Sequence, residues 1–243
     1  QADQVTFLDA DDEWTPRFLE TVLHLSNKFP NAKIFATSYL LENHGMVKSA
    51  QYSYLPKFPW EGIMPSYLKA TLDANSPVCT GNAMIAKDAI YNVGFFIEGE
   101  KLGQDVELWF RLALKYQVAF SSYEGLIYHQ HANNSSVDSN QYNPDIICKD
   151  SALLRTIEKT LAENTLSTQD RALVFEKRDR ELLTYAIRCV IAKKPDFARS
   201  YLRRITAITR KRVFWTLWAY MPVPLTQLAL RIKVTIINKL IRK

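Results

Sequence analysis

The pattern of the chain changes near residue 143, and no other feature constrains its fold as strongly. Before that point, short apolar β-prone runs alternate with segments of helical periodicity; beyond it the pattern is helical only. Residues 4–8 form the first run, which stops abruptly in Asp9-Ala10-Asp11-Asp12. Thr15-Pro16 then marks a helix start, with Phe18, Leu19, Val22, Leu23 and Leu25 at helical spacing behind it. Residues 32–41 predict a second buried strand and 45–54 a third, more exposed one. A short helix over 63–72 and a strand over 82–86 follow. Residues 105–116 predict a helix with Leu108, Trp109, Leu112 and Ala113 on one side, and 118–121 and 126–128 predict short strands. Helices over 144–163, 168–193 and 195–209 come next, the last two separated by Lys194-Pro195. This order predicts an α/β domain over residues 1–142 and a helical extension over 143–243.

A chain of 243 residues, 47% hydrophobic and 12% aromatic, has ample material for a core, which excludes a disordered chain. Seven glycines are few for an all-β protein of this length. The first residue is Gln, and a buried-type strand begins within a few positions of it. Domains rarely open in this way, so an upstream segment is expected to be missing.

Charge is unevenly placed. Residues 197–243 carry 11 Lys/Arg and no Asp or Glu, leaving 31 − 11 = 20 basic against 25 acidic residues, a net of −5, for the first 196. Such a tail calls for an anionic partner. Residues 213–230 are uncharged and aromatic-rich, but Pro222 and Pro224 break them where a spanning helix would need continuity. Flanked by Arg210, Lys211 and Arg212 on one side and Arg231 and Lys233 on the other, the region 210–243 is read as lying in a membrane interface, with no nucleic acid involved. Packing of the same region as a helical hairpin on the α/β part is the plainer alternative. Cys79, Cys148 and Cys189 are odd in number and lack any CxxC or Cys/His metal spacing, as expected of free thiols in a reducing compartment. Two overlapping glycosylation sequons begin at Asn133 and Asn134 and would go unused in a cytoplasmic protein. No signal peptide is visible.

The chemistry is concentrated in Asp9, Asp11 and Asp12. Three carboxylates within four residues repel one another, and here they directly follow a strand, where open α/β sheets place their ligand crevice. Carboxylates at this density suit Mg²⁺ or Mn²⁺, ions that usually also hold substrate phosphates. The plain alternative is a solvated acidic turn, with Asp12 capping the helix near Pro16.

Residues Phe7-Leu8-Asp9-Ala10-Asp11-Asp12-Glu13-Trp14 resemble the DXD region of family 2 glycosyltransferases of the GT-A fold. Further blocks occur in the family's order. Cys79-Thr80-Gly81-Asn82 through Gly94-Phe95-Phe96 is similar to the strand and short helix that lead into the family's "vGxF" element. Gly103-Gln104-Asp105-Val106-Glu107-Leu108-Trp109 resembles its "gEDxelw" block, and Tyr128-His129-Gln130-His131 a degraded "YRxH". Together they span roughly residues 4–136.

The resemblance implies an α/β, GT-A-like (Rossmann-like) mixed-sheet core, incomplete at its N-terminus, that moves a sugar from a nucleotide-sugar donor, a UDP-sugar foremost. The acceptor it implies is a glycan or lipid-linked molecule, and the place of action the cytoplasmic face of the cell membrane. It implies Asp11 as metal ligand, with Asp9 beside the ribose and diphosphate and sometimes on the metal, and Asp12 and His131 as further substrate contacts. Asp105 would be the base of an inverting reaction, taking the acceptor hydroxyl's proton. Two departures stand out. Gln104 replaces a common Glu, and His129 replaces an Arg, which weakens any phosphate pairing unless that His is protonated. Glu107 is read as a bystander, and Trp60, Tyr67 and Trp109 as core aromatics rather than sugar platforms. The family's N-terminal βαβ unit has no counterpart, so this polypeptide alone is expected to bind donor poorly. The rival readings are a phosphatase of the haloacid-dehalogenase type, which Asp12-Glu13-Trp14 fits badly, and a non-enzymatic membrane-associating helical module.

Overall fold

The computed structural model describes residues 2–130, 140–163 and 165–225. Its strands are β1 (Gln4–Thr6), β2 (Glu13–Trp14), β3 (Ile34–Asn43), β4 (Met46–Ser49), β5 (Glu61–Ile63), β6 (Ala83–Ala86) and β7 (Val118–His129). They form one curled mixed sheet in the order β1-β6-β3-β7-β2, with β4 on β3 and β5 on β7. β6 runs antiparallel to both β1 and β3, whereas β3 and β7 are parallel. The carboxyl ends of β1, β3 and β7 therefore share one edge of the sheet with the amino end of β6.

Period-two alternation sorts the side chains onto two faces. Ile34, Ala36, Ala83, Ile85, Val118 and Phe120 enter one apolar cluster, while Phe35, Met84 and Ala119 enter the opposite one. Helix α1 (Phe18–Lys28) closes the second face with Phe18, Val22 and Leu25, all fully buried. The first face is covered by α2 (Tyr67–Ala70), α3 (Lys87–Val93) and α4 (Gln104–Lys115). Leu108, Trp109 and Leu112 of α4 pack there as its periodicity predicts, but Phe110 on the other flank is equally buried. It meets Leu153, Ile157, Leu161 and Val174, so α4 is the hinge plate between the sheet and the helical extension.

That extension contains α5 (Pro144–Ile147), α6 (Ala152–Glu163), α7 (Thr168–Ile191), α8 (Pro195–Arg204) and α9 (Arg210–Tyr220). Several boundaries differ from the sequence reading, each for a local reason. The predicted helix over 144–163 breaks at Cys148–Ser151, where Ser151 Oγ accepts from Leu154 N–H and Arg204 grips Asp150 through two bonds of 2.7 and 2.9 Å. Helix α8 ends at Arg204 rather than 209 because Asp179 Oδ2 takes the backbone N–H groups of Thr206 and Ala207, at 3.0 and 2.8 Å. The two strands expected over 118–121 and 126–128 are one, β7, interrupted where its register with β3 shifts between Thr37 and Tyr39. This irregularity lets β7 change partners, from β5 at Ala119–Ser121 to β2 at Leu126–Ile127. The exposed strand predicted over 45–54 is confined to β4, and the helix over 63–72 to α2.

Close packing around the irregularity requires Gly125. A Cβ there would press on Thr37 Oγ1 and lie 2.8 Å from Phe18 Cδ2, so the crossing of α1 over β7 admits no side chain.

Candidate functional site

The acidic residues lie on the loop between β1 and β2, at the sheet edge where β1, β3 and β7 end. That is the place predicted for a ligand crevice in an open α/β sheet. Asp9 and Asp11 reach solvent, whereas Asp12 is buried. The loop is folded back by Asp12 N–H donating to Asp9 O at 3.1 Å. It is tied down by Trp14, whose Nε1 donates to Gly81 O at 2.7 Å and whose ring stacks on Phe18 with centroids 4.7 Å apart. Trp14 is thus an anchor of the loop.

The turn at residues 79–82 is the second wall. Asn82 is fully buried and completely satisfied. Its Oδ1 accepts from Cys79 N–H, and its Nδ2 donates to Thr37 O at 2.7 Å and Pro77 O at 3.0 Å. Gly81 adopts φ +98° at this turn, and a Cβ would meet Leu126 at 2.9 Å. From the same turn, Thr80 Oγ1 donates to Asp105 Oδ2 at 3.3 Å. Asp105 stands in the first turn of α4, so the helix dipole favours its charge. The turn therefore touches Trp14, which follows the acidic loop, through Gly81 and the α4 carboxylate through Thr80, and Asp105 lies near enough for its charge to act on Asp9.

Electrostatics agree with this geometry. Asp9 is raised above its ordinary 3.8 by partial desolvation, then by the charges of Asp11 and Asp105. Burial is the main force lifting Asp12 to about 6; His129 N–H opposes it, and Asp11 and Asp9 add to it. The Cys79 thiol is pushed up by burial and then by Asp105, Asp12 and Asp9, which favours its protonated form. One thiol thus feels the acidic loop and the α4 carboxylate together.

Asp12 Oδ1 accepts from His129 N–H at 3.0 Å, which latches the loop to the end of β7, while its Oδ2 is buried without a hydrogen-bond partner. It does not cap α1, whose N-terminal Arg17 makes no side-chain capping bond. His129 is itself engaged, with Nδ1 2.9 Å from Glu42 Oε2 and Nε2 3.1 Å from Glu13 Oε1. Its pKa is raised chiefly by Glu42, then by Glu13, with desolvation opposing. The imidazole is therefore held by two carboxylates, so it is not a free cation awaiting a phosphate. His131 and the sequons lie outside the described residues.

Glu107, which sequence reasoning passed over, is fully buried and binds Arg111 and Thr156. Only its i,i+4 spacing to Arg111 hinted at this. Tyr67 and Trp109 are buried core residues, and Trp60 packs on Phe120. Gln104, at the residue that departs from the family pattern, has its Oε1 buried without a partner. A separate cleft of about 450 Å³, lined by Ile63, Ser66, Leu114, Tyr116, Val118 and Asp170 among others, opens at the amino end of β7, away from the carboxylates.

Among the described residues, no three His, Cys, Asp or Glu side chains are arranged to enclose a metal ion. The donors present fit a more limited role. Asp9 and Asp11 are hard carboxylate donors of the kind Mg²⁺ or Mn²⁺ takes, two side chains at most. Compared with known proteins, the chain matches no family model, and no curated protein matches it.

Proposed function

We propose that the chain is the GT-A-type core of an inverting glycosyltransferase that transfers a sugar from a nucleotide-sugar donor to a glycan or lipid-linked acceptor. The observation that carries the reading is the 79–82 turn, bonded on one side to Trp14, just past the acidic loop, and on the other to Asp105. Support for a shared site comes from Asp9 at the strand end, which feels the charge of Asp105 from a distant helix. The antiparallel β6 between β1 and β3 adds support, because it brings the 79–82 turn to the same edge as the acidic loop.

In this reading Asp11 and Asp9 hold Mg²⁺ or Mn²⁺, which when bound neutralises charge on the diphosphate leaving group. Asp105 accepts the proton of the acceptor hydroxyl, and its hydrogen bond from Thr80 fixes which way the carboxylate faces. Asp12 shapes the loop from below while its neighbours face the donor. A UDP-sugar is the first donor to try, and the cytoplasmic face of the cell membrane is the proposed place of action.

The test is turnover of UDP-, GDP- and dTDP-sugars with Mn²⁺ or Mg²⁺, in the longest form of the chain that its gene encodes. Asp11→Ala and Asp105→Ala are each expected to lower metal-dependent turnover by about a hundredfold or more. Turnover that ignores both substitutions would sink the reading.

A further inference from the structure

Helix α9 is apolar on two opposite sides, and among the described residues only one of them is covered by protein. Trp215, Trp218 and Ala219 pack onto the core formed by α7 and α8, beside Leu182, Tyr185 and Leu202. Both ends of the helix are secured. Thr209 caps its start through Arg212 N–H, and Arg199 Nη1 donates to Ala219 O at 2.7 Å. The other side carries Val213, Phe214, Leu217 and Tyr220, which are 49, 44, 65 and 60% exposed. Their spacing of one, four and seven residues from the first aligns them in one stripe. Ile208, 83% exposed, comes just before the helix, and Leu225, 53% exposed, just after it. A helix apolar all round is normally buried all round, and a contiguous exposed patch of this kind marks an interaction surface.

The charge around the patch indicates what covers it. Arg210, Lys211 and Arg212 fill the first turn of α9, where the helix dipole disfavours cations and no acidic residue compensates. Among the described residues, Arg203, Arg210 and Lys211 have no carboxylate within ion-pair distance, whereas Arg199 and Arg204 are paired. No Asp or Glu occurs anywhere from residue 197 to 243. A second copy would offer these cations no carboxylate from its own residues 197–243, so the patch supplies no charge complement to itself. No helix among the described residues is long and apolar enough to cross a membrane.

We propose that the exposed face of α9 docks onto an anionic lipid bilayer. Phe214, Leu217, Val213 and Tyr220 enter the boundary between headgroups and acyl chains, and Arg210 and Lys211 meet the lipid phosphates. This assignment is independent of the transfer reading and stands or falls without it.

The test is co-sedimentation of the full chain with phosphatidylcholine vesicles, with and without phosphatidylglycerol, at low and high salt. Binding is expected only with the anionic lipid and is expected to weaken with salt. The double substitution Phe214→Ser/Leu217→Ser is expected to lower vesicle affinity at least about tenfold with the melting temperature retained. Arg210→Gln/Lys211→Gln is expected to lower it about tenfold and to flatten the salt dependence. The proposal is overturned if the parent chain ignores phosphatidylglycerol, or if binding survives both double substitutions and is lost only on removing residues 226–243. A dimer that Phe214→Ser/Leu217→Ser dissociates, without vesicle binding by the parent, would assign the face to a second copy and overturn it equally.

Discussion

Glu107→Gln tests how the proposed base is held in place. Glu107 lies two residues after Asp105 on α4 and is fully buried. Its Oε1 accepts from Arg111 Nε and from Thr156 Oγ1, each at 2.7 Å, and its Oε2 from Arg111 Nη2 at 2.8 Å. The rest of the guanidinium donates to the carbonyls of Val93, Gly94 and Phe95 at the end of α3. One ion pair therefore joins α3, α4 and α6 just behind the turn that presents Asp105. Changing the carboxylate to an amide leaves a guanidinium only 18% exposed without its counter-charge and turns an N–H donor towards it. Breaking one partner of a buried pair costs about 3–5 kcal/mol. Arg111 keeps its three carbonyls and some solvent, so the lower end, about 3 kcal/mol, is expected. That is a large share of the roughly 5–15 kcal/mol that holds a domain together. Thr156→Val, which removes one hydrogen bond to the charged group, is expected to cost about 1.5 kcal/mol. Urea unfolding followed by circular dichroism measures both, and an unchanged dependence on urea would show that only stability moved. A Glu107→Gln protein within about 0.5 kcal/mol of the parent would refute the account, because surface substitutions behave that way.

Three further outcomes follow from the site and its supports. Asp12 has its folded pKa raised from 3.8 to about 6, so the stabilisation its neutral form provides is complete below pH 3.8 and lost as pH rises through about 6. In metal-free buffer, Asp12→Asn is therefore expected to be the more stable protein at pH 8 by about 2 kcal/mol, with the difference shrinking towards pH 4; an advantage that grows on acidification would contradict this. Glu61 shifts the opposite way. Burial raises it, but hydrogen bonds from Lys28 at 2.9 Å and His24 at 3.0 Å outweigh that and hold it below 4.5. Its contribution is present above pH 4.5 and lost as pH falls through the lower folded value, so Glu61→Gln should cost about 0.5 kcal/mol at neutral pH and nothing in strong acid, by thermal unfolding across pH. Gly125→Ala is expected to cost about 1–3 kcal/mol, because α1 and Thr37 must move aside; an unchanged melting temperature would show that the crossing has slack.

How much of this was legible in the residues depends on where each signal resides. Alternation and helical spacing identify β3, β6, α1, α4, α7 and α8, because those elements each bury a face whose period is written locally, while β1 was legible as an apolar β-prone run. The acidic strand end was legible for the same reason, since three adjacent carboxylates cannot be buried together. Strands β2 and β5 were not, because two or three residues carry no period and pair only where β7 changes partners. That the charge of Asp105 reaches Asp9 was not legible, because the contacts around them run through Thr80, Gly81 and Trp14, whose bonds cross as many as 67 positions of sequence.

The chain itself therefore determined the order of elements, the placement of negative charge at a strand end and the basic, acid-free tail. All are properties of neighbouring residues. The tertiary structure alone decided that Asp12 turns inward, that His129 is held between Glu13 and Glu42, that Glu107 anchors Arg111 and that, among the described residues, one side of α9 is uncovered. Each of these depends on which surfaces the fold brings opposite one another, and a hydrogen bond or buried contact between distant residues leaves no periodic trace in either partner.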